Sequence, residues 1–267
     1  MRRFRAPRIL AAFLGAVLAA SAPAFAPSPA RAGEVYGVSP AELDFYRSDR
    51  LLAEWRITEA RAAVDALLAK DPADANARLL DGHVKFLESR YAEALEVFDR
   101  MGVRGPFRDL VRDTLEATRT MRSKKSAHFE VFWENPKDEV LVEPALEALE
   151  KAYEALGAAL GVRPEKPVRV EIYPTAADFT RVSTLTREEV ETSGTIGLCK
   201  FNRLMITSPR VTAFGYRWRD TLCHEYVHLA VYRLSRGRAQ IWTHEAAARY
   251  FEGAWRGRQG RMEPLEL

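Results

Sequence analysis

The hydrophobic period of this chain changes once, and the change separates an all-helical segment from a mixed one. From about Ser39 to Arg122, apolar and small residues recur at three- and four-residue spacing, and no run alternates as a strand does. Beyond the polar segment 121–127, alternating runs are interleaved with helical ones. The sequence therefore predicts an α+β fold, with a helical region at 33–122 and a mixed-sheet region at 123–267.

The helical region contains a repeat with a period of 34 residues. The aligned pairs are Ala60 and Ala94, Val64 and Phe98, Leu67 and Met101, and Pro72 and Pro106. Gly82 puts a small residue opposite Ala94, which lets a helical pair close tightly, whereas the first unit has Ser48 in place of the glycine. The pattern resembles the tetratricopeptide repeat, with units near 41–74 and 75–108. Two units are few for an independent array, so we expect them to pack on the next domain or on a further helix at 107–121.

The mixed region predicts alternating strands and helices. Strands are expected at 128–133, 168–173, 194–199 and 203–208, the last two as a hairpin, and helices at 137–160, 176–183, 218–234 and 242–254.

The first 32 residues have the features of a secretory signal peptide. Met1–Arg8 is positively charged, Ile9–Ala20 is apolar but short for a membrane span, and Ala30–Ala32 fits a small-residue cleavage site. We therefore expect export to the periplasm or the cell exterior, with no stable membrane span after cleavage. An uncleaved membrane anchor is the alternative.

The charge balance argues against a nucleic-acid partner. The chain has 40 basic and 37 acidic residues, but five of the arginines lie within residues 1–32. The rest of the chain therefore has 35 basic residues against 37 acidic ones, which is not the positive charge that a nucleic-acid-binding protein needs.

Cys199 and Cys223 are the only cysteines. Export makes a disulfide possible between them, and two buried thiols are the alternative. We lean towards the disulfide.

His224 to His228 spells H-E-x-x-H within a predicted helix. Residues four apart on a helix lie about 40° apart around its axis, so both imidazoles face one side and can hold a zinc ion. Glu225 lies about 100° away and is suited to act as a general base. Two core histidines and a salt-bridged glutamate are the alternative, although burying three such groups without partners is costly.

A catalytic zinc needs a third protein ligand, and the next helix offers two adjacent candidates. Glu245 follows His228 by 17 residues, which allows a helix end, a turn and a returning helix. His244 competes with it, and spacing alone does not separate them.

H-E-x-x-H followed by W-x-x-E at the start of the next helix resembles the gluzincin metallopeptidases. The resemblance covers about 128–255 and is closest to small peptidase MA-like domains found beside tetratricopeptide repeats in bacterial exported proteins. The pattern's tryptophan, glutamate, glycine and aromatic positions are filled by Trp242, Glu245, Ala246 and Tyr250. The resemblance implies one zinc per chain on His224, His228 and Glu245, with Glu225 as the base and proton shuttle.

The same resemblance raises three further expectations. The strand at Gly194–Asn202 is implied to be a sheet edge that binds substrate as an added strand, with Gly194 and Gly197 allowing a backbone to approach closely. The alternative is that these glycines only relieve packing. Arg249 stands where relatives carry an acid that orients a zinc histidine, so this partner is unassigned. Gluzincins usually continue into a C-terminal subdomain, so 123–267 corresponds to a minimal or C-terminally truncated version. Three tyrosines, Tyr216, Tyr226 and Tyr250, are therefore the candidates for an oxyanion-stabilising residue, and the sequence does not separate them.

Taken together, the sequence predicts an exported zinc metallopeptidase that hydrolyses peptide bonds in a peptide or protein substrate. The helical repeats offer a surface for an envelope protein partner. The alternative is a non-catalytic, periplasmic protein-binding module of the tetratricopeptide type, with a degenerate metallopeptidase domain.

Overall fold

A computed structural model describes residues 40–186, 188–190 and 194–258. The predicted signal peptide, 1–32, lies outside these residues. Everything described belongs to one unit of the chain, Val38–Leu267. Within this part of the chain, no helix is both long enough and apolar enough to cross a membrane.

Five helices form the N-terminal part of the described residues. They are α1 (Pro40–Ala53), α2 (Ile57–Lys70), α3 (Ala75–Leu87), α4 (Tyr91–Arg100) and α5 (Pro106–Thr118). The first residues of α2 and α4 are 34 positions apart, in agreement with the sequence period. Gly82 on α3 permits the close approach expected of it, because a Cβ there would lie 2.6 Å from the Phe98 ring on α4. Ala60 and Ala94 are fully buried.

A five-stranded mixed sheet follows. Its strands are β1 (Arg122–Lys125), β2 (Phe129–Trp133), β3 (Val168–Tyr173), β4 (Gly197–Lys200) and β5 (Arg203–Thr207). The spatial order is β1-β2-β3-β5-β4. The three central strands are parallel, and each outer strand is antiparallel to its neighbour.

Helices cover both faces of the sheet. The later helices are α6 (Val142–Leu160), α7 (Ala176–Val182), α8 (Trp218–Ser235) and α9 (Ile241–Phe251). A 3-10 helix at Pro136–Leu141 leads into α6 and occupies the first turns of the helix predicted at 137–160. Apolar side chains of α6 and α8 form the main core with one face of the sheet, and α7 packs with Ala117 of α5 on the other face. The architecture is α+β, as the sequence predicts.

Two expectations from the sequence are wrong. The polar segment 121–127 contains strand β1, all four residues of which are exposed. Its Arg-Ser-Lys-Lys sequence lacks apolar alternation because neither face is buried, and its charges suit an edge strand that must not pair further. The predicted disulfide is absent, since Cys199 and Cys223 are both free thiols. Cys223 instead donates a hydrogen bond to the carbonyl of Phe251 at 3.2 Å.

A buried polar cluster joins the helices to the sheet. Glu171 on β3 is fully buried, and its carboxylate lies 3.0 Å from the Arg203 guanidinium on β5. The hydroxyl of Tyr91 on α4 donates to Glu171 at 3.0 Å and accepts from Arg203 at 2.9 Å. Burial is the largest single effect and raises the pKa of Glu171, but the charges of Arg203 and Arg169 and the hydrogen bonds from Tyr173 and Arg169 together outweigh it, so the pKa lies below its usual value. The carboxylate is therefore charged and compensated.

The turn of the β4–β5 hairpin completes the core of the helical segment. Phe201 is 8% exposed and packs edge-on against Phe86 of α3, with 5.2 Å between ring centroids. It belongs to the same apolar cluster as Ala94 and Phe98 of α4. The helical segment therefore holds one end of the strand that lies beside the candidate site.

Candidate metal centre

Helix α8 presents the two motif histidines on one side. The imidazole rings of His224 and His228 have centroids 4.7 Å apart, and their side chains are 14% and 17% exposed. The helix itself is fixed by buried residues on its other sides, among them Leu222, Tyr226 and Leu229. One potential ligand atom from each of His224, Glu225 and His228 falls within a 4.8 Å cluster.

Helix α9 runs back along α8 and brings a carboxylate to both histidines. Glu245 Oε2 lies 3.7 Å from His224 Nε2, and Glu245 Oε1 lies 3.6 Å from His228 Nε2. Two ligand atoms bound tetrahedrally at the usual zinc distances are about 3.4 Å apart. Glu245 therefore offers one oxygen to each imidazole at a few tenths of an ångström more than this separation, while the tighter group of potential ligand atoms consists of His224, Glu225 and His228.

His244, the competing third ligand, is placed differently. Its ring centroid lies 5.7 Å from that of His228 and 6.4 Å from that of Tyr232. It thus stands beside the cluster, towards the C-terminal end of α8, while Glu245 faces both Nε2 atoms. Of the two neighbours that the sequence leaves open, the geometry favours Glu245.

A further carboxylate, Glu252, contacts the opposite nitrogen of His224. Its Oε2 lies 3.3 Å from His224 Nδ1, and it also lies 3.5 Å from the guanidinium of Arg249. A carboxylate in this position fixes the tautomer and orientation of a metal-binding imidazole. Glu252 was not among the residues expected from the sequence, because the resemblance points to the position one turn after Glu245, which is Arg249. A seven-residue spacing, two helical turns on the same face, is the signal that would have found it.

The ends of the two helices are held together by the side chain of Asp220. Its carboxylate accepts hydrogen bonds at 2.8 Å from Trp255 Nε1 and from the guanidinium of Arg256, just after α9. Asp220 lies in the first turn of α8, one turn before His224. The contact therefore fixes the end of α9 that carries Glu252.

Glu225 lies against the edge strand. A Cβ added at Gly197 on β4 would lie 2.8 Å from Glu225 Oε1, so the absent side chain is what allows the close contact. Burial, with a smaller contribution from the charge of Glu245, raises the pKa of Glu225 to about 8, although the backbone N–H of Cys199 opposes the shift. A glutamate with such a pKa can both hold and release a proton near neutral pH.

The backbone of β4 also has groups available beside Glu225. Thr207 N–H donates to the Ile196 carbonyl at 2.9 Å, and hydrogen-bonded pairs alternate along an antiparallel ladder. Gly197 and Cys199 therefore direct their N–H and C=O groups away from β5. Within the described residues, β4 is an edge strand.

Burial and neighbouring imidazoles keep His228 neutral. Burial, together with the neighbouring His224 and His244, lowers the pKa of His228 to about 3. Metal binding requires a neutral imidazole, so His228 is in the ligand form at neutral pH.

The three candidate oxyanion tyrosines occupy different places. Tyr226 is fully buried and packs edge-on against Phe129, 5.1 Å between centroids, so it cannot contact a substrate. Tyr216 donates its hydroxyl hydrogen bond to the carbonyl of Thr207 at the end of β5. Tyr250 packs edge-on against Phe251 at 4.8 Å. The sequence did not distinguish these residues, and the structure removes Tyr226.

Two imidazole nitrogens and one carboxylate oxygen are the ligand set expected of a catalytic zinc site. The two imidazoles and the Glu245 carboxylate converge from two helices, and the carboxylate of Glu225 lies beside the imidazoles. Comparisons of the chain with protein-family models, with curated proteins and with solved structures give no match. What supports a metal site is therefore the geometry of these side chains.

Proposed function

We propose that the chain is a zinc-dependent metallopeptidase of the gluzincin type that hydrolyses peptide bonds in the cell envelope. The observation that carries the proposal is the position of Glu245, whose two carboxylate oxygens lie 3.6 and 3.7 Å from the Nε2 atoms of His228 and His224. His224, His228 and Glu245 would hold one zinc per chain. Zinc, when bound, polarises the scissile carbonyl and makes water a stronger nucleophile at neutral pH.

Glu225 supplies the proton transfers. Its carboxylate takes a proton from the attacking water and returns it to the nitrogen of the leaving amine. Glu225 thus acts first as the general base and then as the general acid. Burial raises the pKa of Glu225 and so strengthens the carboxylate as a proton acceptor, whereas the charge of a bound zinc would oppose this rise. Glu252 holds the His224 ring through Nδ1, so that Nε2 remains directed towards Glu245.

Strand β4 positions the substrate. The outward N–H and C=O groups of Gly197 and the outward C=O group of Cys199 can pair with an extended peptide, which then lies as an added strand next to Glu225. Main-chain pairing of this kind does not depend on side chains, so it suits peptide substrates of varied sequence.

The first experiment measures zinc in the full chain, purified without a metal-binding tag. We expect about one zinc per chain, and we expect it to be lost in His228→Ala. His128→Ala is the matched control, because His128 pairs with Glu150 in another part of the fold. Loss of zinc from both variants, or from neither, would contradict the assignment.

Hydrolysis is tested separately with Glu225→Gln. This variant should keep its zinc and lose peptide hydrolysis, because the amide cannot accept the proton. Glu130→Gln, on β2, provides a control of the same chemistry. Full hydrolysis by zinc-loaded Glu225→Gln would refute the role of Glu225.

The alternative is a non-catalytic module that binds an envelope protein through its helices. It is favoured by a groove of about 480 Å³ between α1 and α2, lined by apolar and charged side chains that include Leu51, Ala66, Arg47 and Lys70. A folded, zinc-loaded chain that cuts no member of a peptide library, yet binds a peptide through this groove, would support the module instead.

A further inference from the structure

The helical segment reaches the metal-facing side of α8. Tyr232 follows His228 by four residues and therefore continues the same side of the helix by one turn. The ring of Trp55, in the turn between α1 and α2, stacks on Tyr232 with 3.8 Å between centroids and 25° between planes. The Tyr232 hydroxyl also donates a hydrogen bond to the carbonyl of Ala53.

The backbone of Trp55 is in the left-handed region, with φ of +52°. A bulky residue is disfavoured there, where glycine is the usual choice. Such a conformation persists when its surroundings require it, and it is often found where function depends on the placement of a side chain. Here it directs the largest of all side chains onto the end of α8.

The opposite side of the same end is formed by α9. The His244 ring lies 6.4 Å from Tyr232 and 5.7 Å from His228, measured between centroids. A row of rings thus runs from the helical segment to a candidate metal ligand. His244, which the proposed metal site does not use, lies beside the rings of both Tyr232 and His228.

Strand β4 ends at the same place. After Lys200 the chain turns at Phe201 and Asn202, and Phe201 is inserted into the core of the helical segment against Phe86. The Arg233 guanidinium on α8 donates to the Asn202 side chain at 2.7 Å. The strand and the helix that flank the substrate position are therefore both joined to the helical segment at this end.

Two distances give the room that is left for substrate. Along α8, the turn from His228 to Tyr232 rises about 6 Å. The stacked rings of Tyr232 and Trp55 lie at its end. Along β4, the two residues from Cys199 to Phe201 span about 7 Å. An extended peptide advances about 3.3 Å per residue, so two or three residues fit on this side.

The other end of the groove has no such closure among the described residues. The segment before α8 is exposed, and Phe214 has its whole side chain in solvent. Arg217 and Arg219, at the beginning of α8, are exposed as well. A peptide can therefore extend beyond the site in this direction.

We propose that the helical segment closes one end of the substrate groove, so that the enzyme cuts peptides within three residues of a chain end. The inference rests on the proposed peptidase function and adds its substrate class: peptides with a free end, rather than internal loops of folded or cyclic chains. Trp55 is the specificity-determining residue, and it acts by occupying the position of the next substrate residue.

The test compares a linear twelve-residue peptide with its backbone-cyclised form, each incubated with the zinc-loaded full chain and read by mass spectrometry. We expect the linear peptide to lose one to three residues from one end and the cyclic peptide to stay intact. Cleavage of the cyclic peptide, or cuts more than three residues from both ends, would overturn the inference while leaving the peptidase function standing. If the folded, zinc-loaded chain cuts neither peptide, the proposed function fails and the inference fails with it.

Trp55→Gly tests the wall directly. Glycine suits the positive φ, so the substitution removes the ring with little backbone cost, and thermal unfolding verifies the fold. We expect cuts four or more residues from the end. Tyr46→Ala, on the exposed surface of α1, should retain wild-type product lengths. Unchanged products from folded Trp55→Gly would refute the assignment.

Discussion

The contact between Glu252 and His224 offers a sharp test of the metal centre, because Glu252 itself would not bind the ion. Removing an outer partner of a metal-bound histidine typically weakens metal affinity by a factor of about 10 to 100. The contact of 3.3 Å is longer than a strong charge-assisted hydrogen bond, and the Glu252 side chain is 33% exposed. We therefore expect the lower limit for Glu252→Ala, about tenfold, or about 1.4 kcal/mol of binding free energy.

A graded series isolates the cause. Glu252→Gln keeps an oxygen that can accept from Nδ1 but loses the charge, so its affinity should fall by only about threefold. Arg249→Ala is the matched control on the same helix, because it removes the partner of Glu252 and leaves the carboxylate in place. We expect it to change zinc affinity less than about twofold, since Arg249 is exposed.

The assay is a competition titration with a zinc-binding dye at neutral pH, on protein whose fold is verified by circular dichroism. The quantity compared is the zinc Kd of each variant. An unchanged Kd in folded Glu252→Ala, or an equal loss in Arg249→Ala, would refute the reasoning.

Three further predictions test other parts of the fold. Gly197→Ala places a Cβ 2.8 Å from Glu225 Oε1, so peptide hydrolysis should fall at least tenfold while bound zinc is retained; wild-type kcat/KM would show that β4 does not contact the site. Burial lowers the pKa of His83 to about 4, below its unfolded value, so the unfolded state takes up the proton first as pH falls. Between pH 7.5 and 5 the wild type should therefore lose about 2 kcal/mol of unfolding free energy that His83→Phe does not lose, measured by urea titration, and parallel pH profiles would contradict this. Glu171→Gln removes the charge that compensates the guanidiniums of Arg203 and Arg169, so it should lower the free energy of unfolding by about 3 kcal/mol. Glu130→Gln, in a partly exposed ion pair, should lower it by less than about 1 kcal/mol. Similar losses in both variants would argue against the buried cluster.

Local pattern was sufficient for most of the secondary structure. Helices and strands with one buried face have a regular apolar period, and the strands at 128–133 and 168–173 are found within one residue of their predicted limits. Strand β1 has no buried face, so its sequence contains no period to detect. Long-range pairing decides such an edge strand, and a polar segment of four residues does not indicate its partner.

The site illustrates a different limit. The H-E-x-x-H spacing fixes the relation of His224 to His228, because both lie on one helix. The choice between His244 and Glu245 depends on the rotation of α9 about its own axis, which is set by tertiary contacts such as that of Asp220 with Trp255. The residue spacing within α8 or within α9 does not determine how α9 is rotated relative to α8.

Buried charge escaped detection for a related reason. The alternation in β3 is typical of a strand with one polar, solvated face. In the structure that face is covered by the helical segment, and Glu171 is fully buried between Arg169 and Arg203. A strand pattern reports polarity, but it does not report what covers the polar face.

The insertion of Phe201 into the helical core has a consequence for the order of folding. Phe86 and Phe201 are in contact although 115 residues separate them along the chain. During synthesis from the N terminus, α3 and α4 are therefore made long before Phe201, the side chain that completes their apolar cluster. Contacts of such long sequence separation slow folding, and until they form the apolar surface stays accessible to other chains. The first five helices are consequently expected to need the hairpin before they become stable, so the nascent protein passes through a stage in which it depends on protection from aggregation.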